Sequence, residues 1–153
     1  MAVLGFENVL LCPILRFKIV NHIHMNLTNH VLASKEQIKD LMNYPADTPV
    51  VMVNILKFKA KSGNGDETGK EAYSRYMKNV TPLLQKNGGQ LIWKGDVKNM
   101  IIGDSETIPD SIFLVQYPSV QHFLNMATSK AYAAIAHDRI IALEYGGLIA
   151  TKP

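Results

Sequence analysis

Ser111–Leu143 reads SIFLVQYPSVQHFLNMATSKAYAAIAHDRIIAL. Its first seven residues are rich in aliphatic and aromatic types, the composition of a strand. Pro118 stops that strand, and Ser119 and Ser129 stand where helix N-caps belong. The segment predicts a strand followed by a helical pair over Ser119–Ala127 and Ser129–Leu143. At about 100° per residue, Tyr132, Ile135, Ala136, Arg139 and Leu143 share one face of the second helix. A guanidinium thus sits in an apolar stripe. Arginine stays charged and a buried charge needs a partner, so Arg139 predicts either a salt bridge or an anion-binding pocket.

Upstream, Val50–Phe58 reads VVMVNILKF, nearly continuous and apolar, which predicts a central strand covered on both faces. Before it, Ser34 and Gln37 form a capping box, and Ile38, Leu41 and Met42 give a short helix an apolar side that Pro45 and Pro49 end. After it, KAKSGNGDETG at Lys59–Gly69 predicts a mobile loop without phosphate-binding spacing. Thr68 and Glu71 make a second capping box. Tyr73, Tyr76, Val80, Leu83 and Leu84 then recur at helical spacing until Gly88 and Gly89. Gln90–Val97 alternates as an edge strand does, with Met100–Ile102 as its continuation past an irregularity near Gly95 or Lys98. Gly146–Thr151 supplies a last short strand.

The order β-α-β-β-α-β places the first and third strands side by side at the centre of a four-stranded antiparallel sheet, and those two strands are the most apolar. The fold class is therefore α+β, a ferredoxin-like sandwich. Helices cover only one face of such a sheet. The first strand nevertheless offers Val51, Val53 and Ile55 on one face and Val50, Met52, Leu56 and Phe58 on the other. A second copy packed sheet to sheet would bury the remaining face, so a homodimer is expected.

The chain has 153 residues, 47% apolar and 19% charged, which fits one soluble globular domain. A net charge of +3 spread without a basic run predicts neither a nucleic-acid arm nor a membrane patch. A single cysteine, Cys12, excludes an internal disulfide and suits a reducing cytoplasm. The chain divides into an N-terminal extension at 1–24, a helical segment at 25–48 and the sandwich at 49–153. Within the extension, VLLCPILRFKIV is too short to span a bilayer, and Arg16 and Lys18 follow the apolar run rather than precede it, against a signal peptide. Met25 offers an alternative start, and omitting the residues before it leaves the net charge positive.

PVVMVNILKFK, AYSRYM, IIGD and, most specifically, YPSVQHFLNMATSKAYAAIAHDRIIAL carry a resemblance to the domain-of-unknown-function family DUF1330, within the dimeric α/β-barrel superfamily. The likeness spans about Pro49–Lys152. It implies a ferredoxin-like fold and a homodimer closing a dimeric α/β barrel, and it brings no established reaction. Haem-degrading members of the superfamily use asparagine, tryptophan and histidine. Here no histidine is placed beside Trp93, which argues against a haem role.

Asn54 shares a strand face with Met52 and Leu56, and Gln116 with Ile112 and Leu114, so two amides project among apolar neighbours and need hydrogen bonds. With Trp93, Tyr117, Tyr132 and Arg139 they resemble a pocket lining. In a catalytic reading, Asn54 or Arg139 stabilises an oxyanion and Tyr132 relays a proton, while Met52, Trp93, Gln116 and Tyr117 hold the ligand. Each has a structural alternative: Asn54 bonding nearby backbone, Trp93 packing in the sheet or dimer, Arg139 pairing with Asp104, Asp110 or Glu144. None of the five histidines falls in a metal-ligand motif, so no metal and no cofactor is expected. His122 and His137 read as surface residues. Two functions remain: a small enzyme acting on a hydrophobic or aromatic molecule, of cofactor-independent oxygenase or isomerase type, or a non-catalytic homodimeric ligand-binding or interaction module. A cavity decides between a ligand site and a barrel packed shut.

Overall fold

The computed structural model describes residues 31–103 and 108–153. The extension at 1–24, the alternative start at Met25, and Asp104 lie outside these residues. The described elements, in chain order, are α1 (Lys35–Met42), β1 (Val50–Phe58), α2 (Gly69–Lys86), β2 (Gln90–Asp96), β3 (Ser111–Tyr117), α3 (Val120–Ala127), α4 (Lys130–Ala133), α5 (Ala136–Ala142) and β4 (Leu143–Thr151). The strands form one sheet in the order β2-β3-β1-β4, and every neighbouring pair is antiparallel. This is the ferredoxin-like arrangement, with the two most apolar strands central.

Local chemistry accounts for the helix boundaries. Both capping boxes form: Ser34 accepts from the Gln37 N–H, Thr68 accepts from the Glu71 N–H, and Gln37 and Glu71 return bonds to the cap backbones. Each satisfies two amides that a helix start leaves bare. At the far end of α2, Gly88 takes a φ of +75°, a conformation glycine adopts without penalty, and its N–H bonds the Gln85 carbonyl. The buried side of α2 is Ala72, Tyr73, Tyr76, Val80 and Leu84, which packs on Val50, Met52, Leu56, Phe113 and Val115 of the sheet.

Several expectations are corrected. Met100–Ile102 forms no strand, and β2 ends at Asp96. The irregularity in β2 lies between Leu91 and Trp93, where the register against β3 shifts, and not near Gly95 or Lys98. A residue gained at that bulge turns the strand over. Leu91 therefore opposes Val115 on the helix side, whereas Trp93 opposes Leu114 on the other side. The helix expected over Ser129–Leu143 breaks into α4 and α5, with the backbone of Ile135 turning at φ −113° between them. Ser129 caps α4 by accepting from the Tyr132 N–H, but the Ser119 hydroxyl makes no cap bond and meets Nδ1 of His122 at 2.9 Å. The last strand begins three residues earlier than Gly146.

Val50, Met52, Leu56 and Leu143 are the largest side chains removed almost wholly from water. All four stand under the helices. The opposite face carries Val51, Val53, Ile55, Ile112 and Leu114, all half-buried, flanked by exposed Trp93 and Ile149. No helix among the described residues is long and apolar enough to cross a membrane.

Candidate functional site

A cavity of about 660 Å³ opens between the helices and the covered face of the sheet. Its floor is strand: Met52 and Asn54 from β1, Phe113, Val115 and Tyr117 from β3, and Leu148 from β4. Its walls come from α2, α3, α4 and, through Arg139, α5, and α1 with the residues before it forms the remaining side. Period-two alternation decides which strand residues reach it. Asn54 is paired with Phe113 and Leu148, so it projects under the helices.

Of the residues expected at a site, the cavity gathers Met52, Asn54, Tyr117, Tyr132 and Arg139. Gln116 and Trp93 are not among them. Gln116 is paired with Val51, and Trp93 with Leu114, so both stand on the uncovered face. Gln116 is displaced by alternation within β3, and Trp93 by the bulge. The Trp93 indole lies against the Gly95 backbone and is 53% exposed.

Arg139 makes no ion pair among the described residues. Its Nη1 donates to the Val31 carbonyl at 2.5 Å and its Nη2 to the Gly146 carbonyl at 3.1 Å. The expected pairing with Asp110 or Glu144 is absent: Asp110 instead accepts from the Phe58 N–H at 2.6 Å, and Glu144 is exposed. The arginine therefore ends at a cavity wall, tied to two backbone oxygens. Asn54 donates through Nδ2 to the Met52 carbonyl at 3.2 Å, and its Oδ1 accepts no hydrogen bond from a described residue.

Aromatic rings link these groups. Phe58, Tyr73, Tyr76 and Tyr132 follow one another at ring separations of 5.4, 5.3 and 6.4 Å, and the Tyr76 hydroxyl donates to that of Tyr132 at 3.3 Å. Burial pushes the Tyr73, Tyr76 and Tyr117 phenols well above the usual range, so all three stay protonated; the Arg139 charge opposes the rise at Tyr73 and Tyr76. The cavity thus offers neutral hydroxyls, the amides of Asn54 and Gln37, the Asp40 carboxylate and one guanidinium in a largely apolar wall.

A second polar constellation, which the residue pattern did not announce, holds the helix layer together. Arg75 on α2 bonds Asp138 of α5 through Nε at 3.0 Å and Nη2 at 2.9 Å, and it also bonds Glu67. Glu67 in turn accepts from the Ser62 hydroxyl at 2.7 Å. Hydrogen bonds from Arg75, then Ser62, hold the Glu67 carboxyl down at about 2. The loop read as mobile is tied at this point to both helices. Asp138 lies 63 residues from Arg75, so only the fold brings them together. Among the described residues, no group of three or more His, Cys, Asp or Glu side chains is placed to hold a metal.

The model of the domain of unknown function DUF1330 matches residues 64–151, more than half of the chain, beginning in the loop after β1. The RPA0582 protein of unknown function from Rhodopseudomonas palustris is similar at 31% identity and a TM-score of 0.76, over 82% of this chain and 98% of that one. Its methylated form gives 30% identity and a TM-score of 0.77, over 82% and 96%. A dimeric protein of unknown function and ferredoxin-like fold from Bacteroides fragilis NCTC 9343 is more distant, at 12% identity and a TM-score of 0.48, over 71% and 100%. No curated protein matches. By the family model and by its likeness to the Rhodopseudomonas palustris protein, this chain belongs to the DUF1330 family.

Proposed function

We propose that this chain takes a hydrophobic or aromatic small molecule into the cavity between its helices and its sheet. One observation carries the reading: about 660 Å³ of space walled by methionine, phenylalanine, tyrosine and aliphatic side chains, into which only a few polar groups reach. Space of that size and character is what small-molecule sites share. A core built only for stability would be filled, because interiors pack to crystal-like density. Met52, Met77 and Met126 line the space, and thioether side chains adjust to ligands of irregular shape.

Catalysis is the second reading, favoured by the convergence of Asn54, Tyr132 and Arg139 on one cavity. An amide and a guanidinium can stabilise an oxyanion, and a tyrosine can pass a proton, as a cofactor-independent oxygenase or isomerase requires. The working unit is a homodimer in a reducing cytoplasm: the uncovered apolar sheet face supports the first part, and the lone cysteine the second.

Native mass spectrometry of the protein purified from cells tests the binding reading. The expected result is a retained small molecule that leaves on mild activation. Protein that carries nothing, and that gains no ligand from a panel of aromatic and quinone compounds, sinks it. Turnover of a panel compound that Asn54→Ala abolishes favours the enzyme.

A further inference from the structure

We infer, resting on the binding reading above, that the ligand is an amphipathic monocarboxylate whose carboxylate is held by Arg139 while its apolar body lies along the aromatic floor. The argument begins with charge. A guanidinium against an apolar wall needs compensation, and the two carbonyls it meets, of Val31 and Gly146, supply partial charges only. No carboxylate among the described residues pairs with it. The other charged residue lining the cavity, Asp40, is exposed on α1 and makes no ion pair with Arg139. Among the described residues a full positive charge is thus left for something that enters.

Hydrogen-bonding capacity agrees with charge. Guanidinium carries five N–H donors in a planar fork, and two of them are used by the carbonyls. The remaining donors suit a planar carboxylate. Tyr132 accepts from Tyr76, which leaves its own O–H to donate into the same space. Tyr76 stays protonated through burial, so no phenolate at that position competes for the guanidinium. The number of cations sets the ligand's charge. A single guanidinium balances a single negative charge, whereas a phosphate dianion calls for several cations or a helix N-terminus. The rest of the lining, from Met52 and Phe113 to Phe123 and Leu124, asks for a hydrocarbon or aromatic body.

Paired probes separate this inference from the reading beneath it. Isothermal titration of the full chain with octanoate against octanol, and cinnamate against cinnamyl alcohol, keeps the body constant and changes only the head. Each acid is expected to bind roughly tenfold or more tighter than its alcohol at neutral pH. Arg139→Met abolishes that preference and Arg139→Lys keeps part of it. Equal binding of acid and alcohol to the unmutated chain overturns the inference and leaves the binding reading standing. Binding of neither member counts against both. A preference that survives in Arg139→Met removes Arg139 from the account.

Because Arg139→Met also loses the bonds to Val31 and Gly146, a measurement on the unmutated chain is needed as well. Nuclear magnetic resonance of cinnamate labelled at its carboxyl carbon provides it. The bound carboxyl is expected to titrate at lower pH than the free acid, since the guanidinium favours the ionised form. A bound carboxyl that titrates at or above the free value overturns the assignment, since an apolar site without the cation raises it.

Discussion

Met52 and Val53 are neighbours on β1 and both are apolar, yet Met52 is 2% exposed while Val53 remains half-buried. The same contrast runs across the whole sheet. Under the helices lie Val50, Met52, Leu56, Phe113 and Val115; on the other side lie Val51, Val53, Ile55, Ile112 and Leu114, edged by Trp93 and Ile149. Residue type does not distinguish the two sets. What differs is cover, because two crossover helices on one side are all that a single β-α-β-β-α-β unit supplies. The covered face encloses a cavity, and the uncovered one forms a surface suited to a second copy.

The strongest way to break this comparison is to truncate on each side in turn. Leu56→Ala removes a side chain that is 1% exposed and should cost about 2–5 kcal/mol, measured by chemical denaturation. Ile55→Ala, one residue away and facing outward, should cost the isolated subunit much less. Equal losses at low protein concentration, where any dimer has dissociated, would mean that the two faces are covered alike within one subunit.

A charge on the open face probes its partner. Val53→Glu places a carboxylate at the centre of that face, where a two-fold axis would set it against its own copy. Light scattering coupled to gel filtration should give a dimer for the unmutated chain and a folded monomer for the variant. A monomer in both cases would leave the open face without a second copy as its cover.

How much of this could be read in advance follows from where each signal lies. The central strands were legible because VVMVNILKF and SIFLVQY are nearly continuous apolar runs rich in β-branched and aromatic types. The capping boxes were legible because Ser34 with Gln37, and Thr68 with Glu71, act over one turn. The bulge between Leu91 and Trp93 was not legible. It is a backbone event with no required side chain, and it moved Trp93 to the face opposite the cavity. The Arg139 partners were hidden for a related reason: carbonyl acceptors belong to every residue, so nothing in the letters marked Val31 or Gly146. Asn54 and Tyr132 reached the cavity side of their elements by simple periodicity. Gln116 did not, because β3 alternation sends it outward.

The cover itself can be loosened through its polar clamp, and the pH response has a definite sign. Arg75 joins α2 to Glu67 in the preceding loop and to Asp138 on α5. The Glu67 carboxyl is lowered from 4.5 to about 2 in the folded chain, chiefly by its bonds from Arg75. A carboxyl depressed on folding adds stability above its unfolded value, and that stability drains away as pH falls through the folded one. The unmutated chain should therefore lose stability as pH drops from about 4.5 toward 2, in part through Glu67. Glu67→Gln should be less stable than the parent at neutral pH and shallower across that acid window, so that the two curves converge near its lower end. Thermal midpoints followed from pH 7 downward would show it. Curves that stay parallel through the acid range would mean that Arg75 is held to the helix layer by Asp138 alone. In that case the Glu67 end of the loop after β1 adds nothing to the cover, and Arg75 with Asp138 is the clamp that joins α2 to α5.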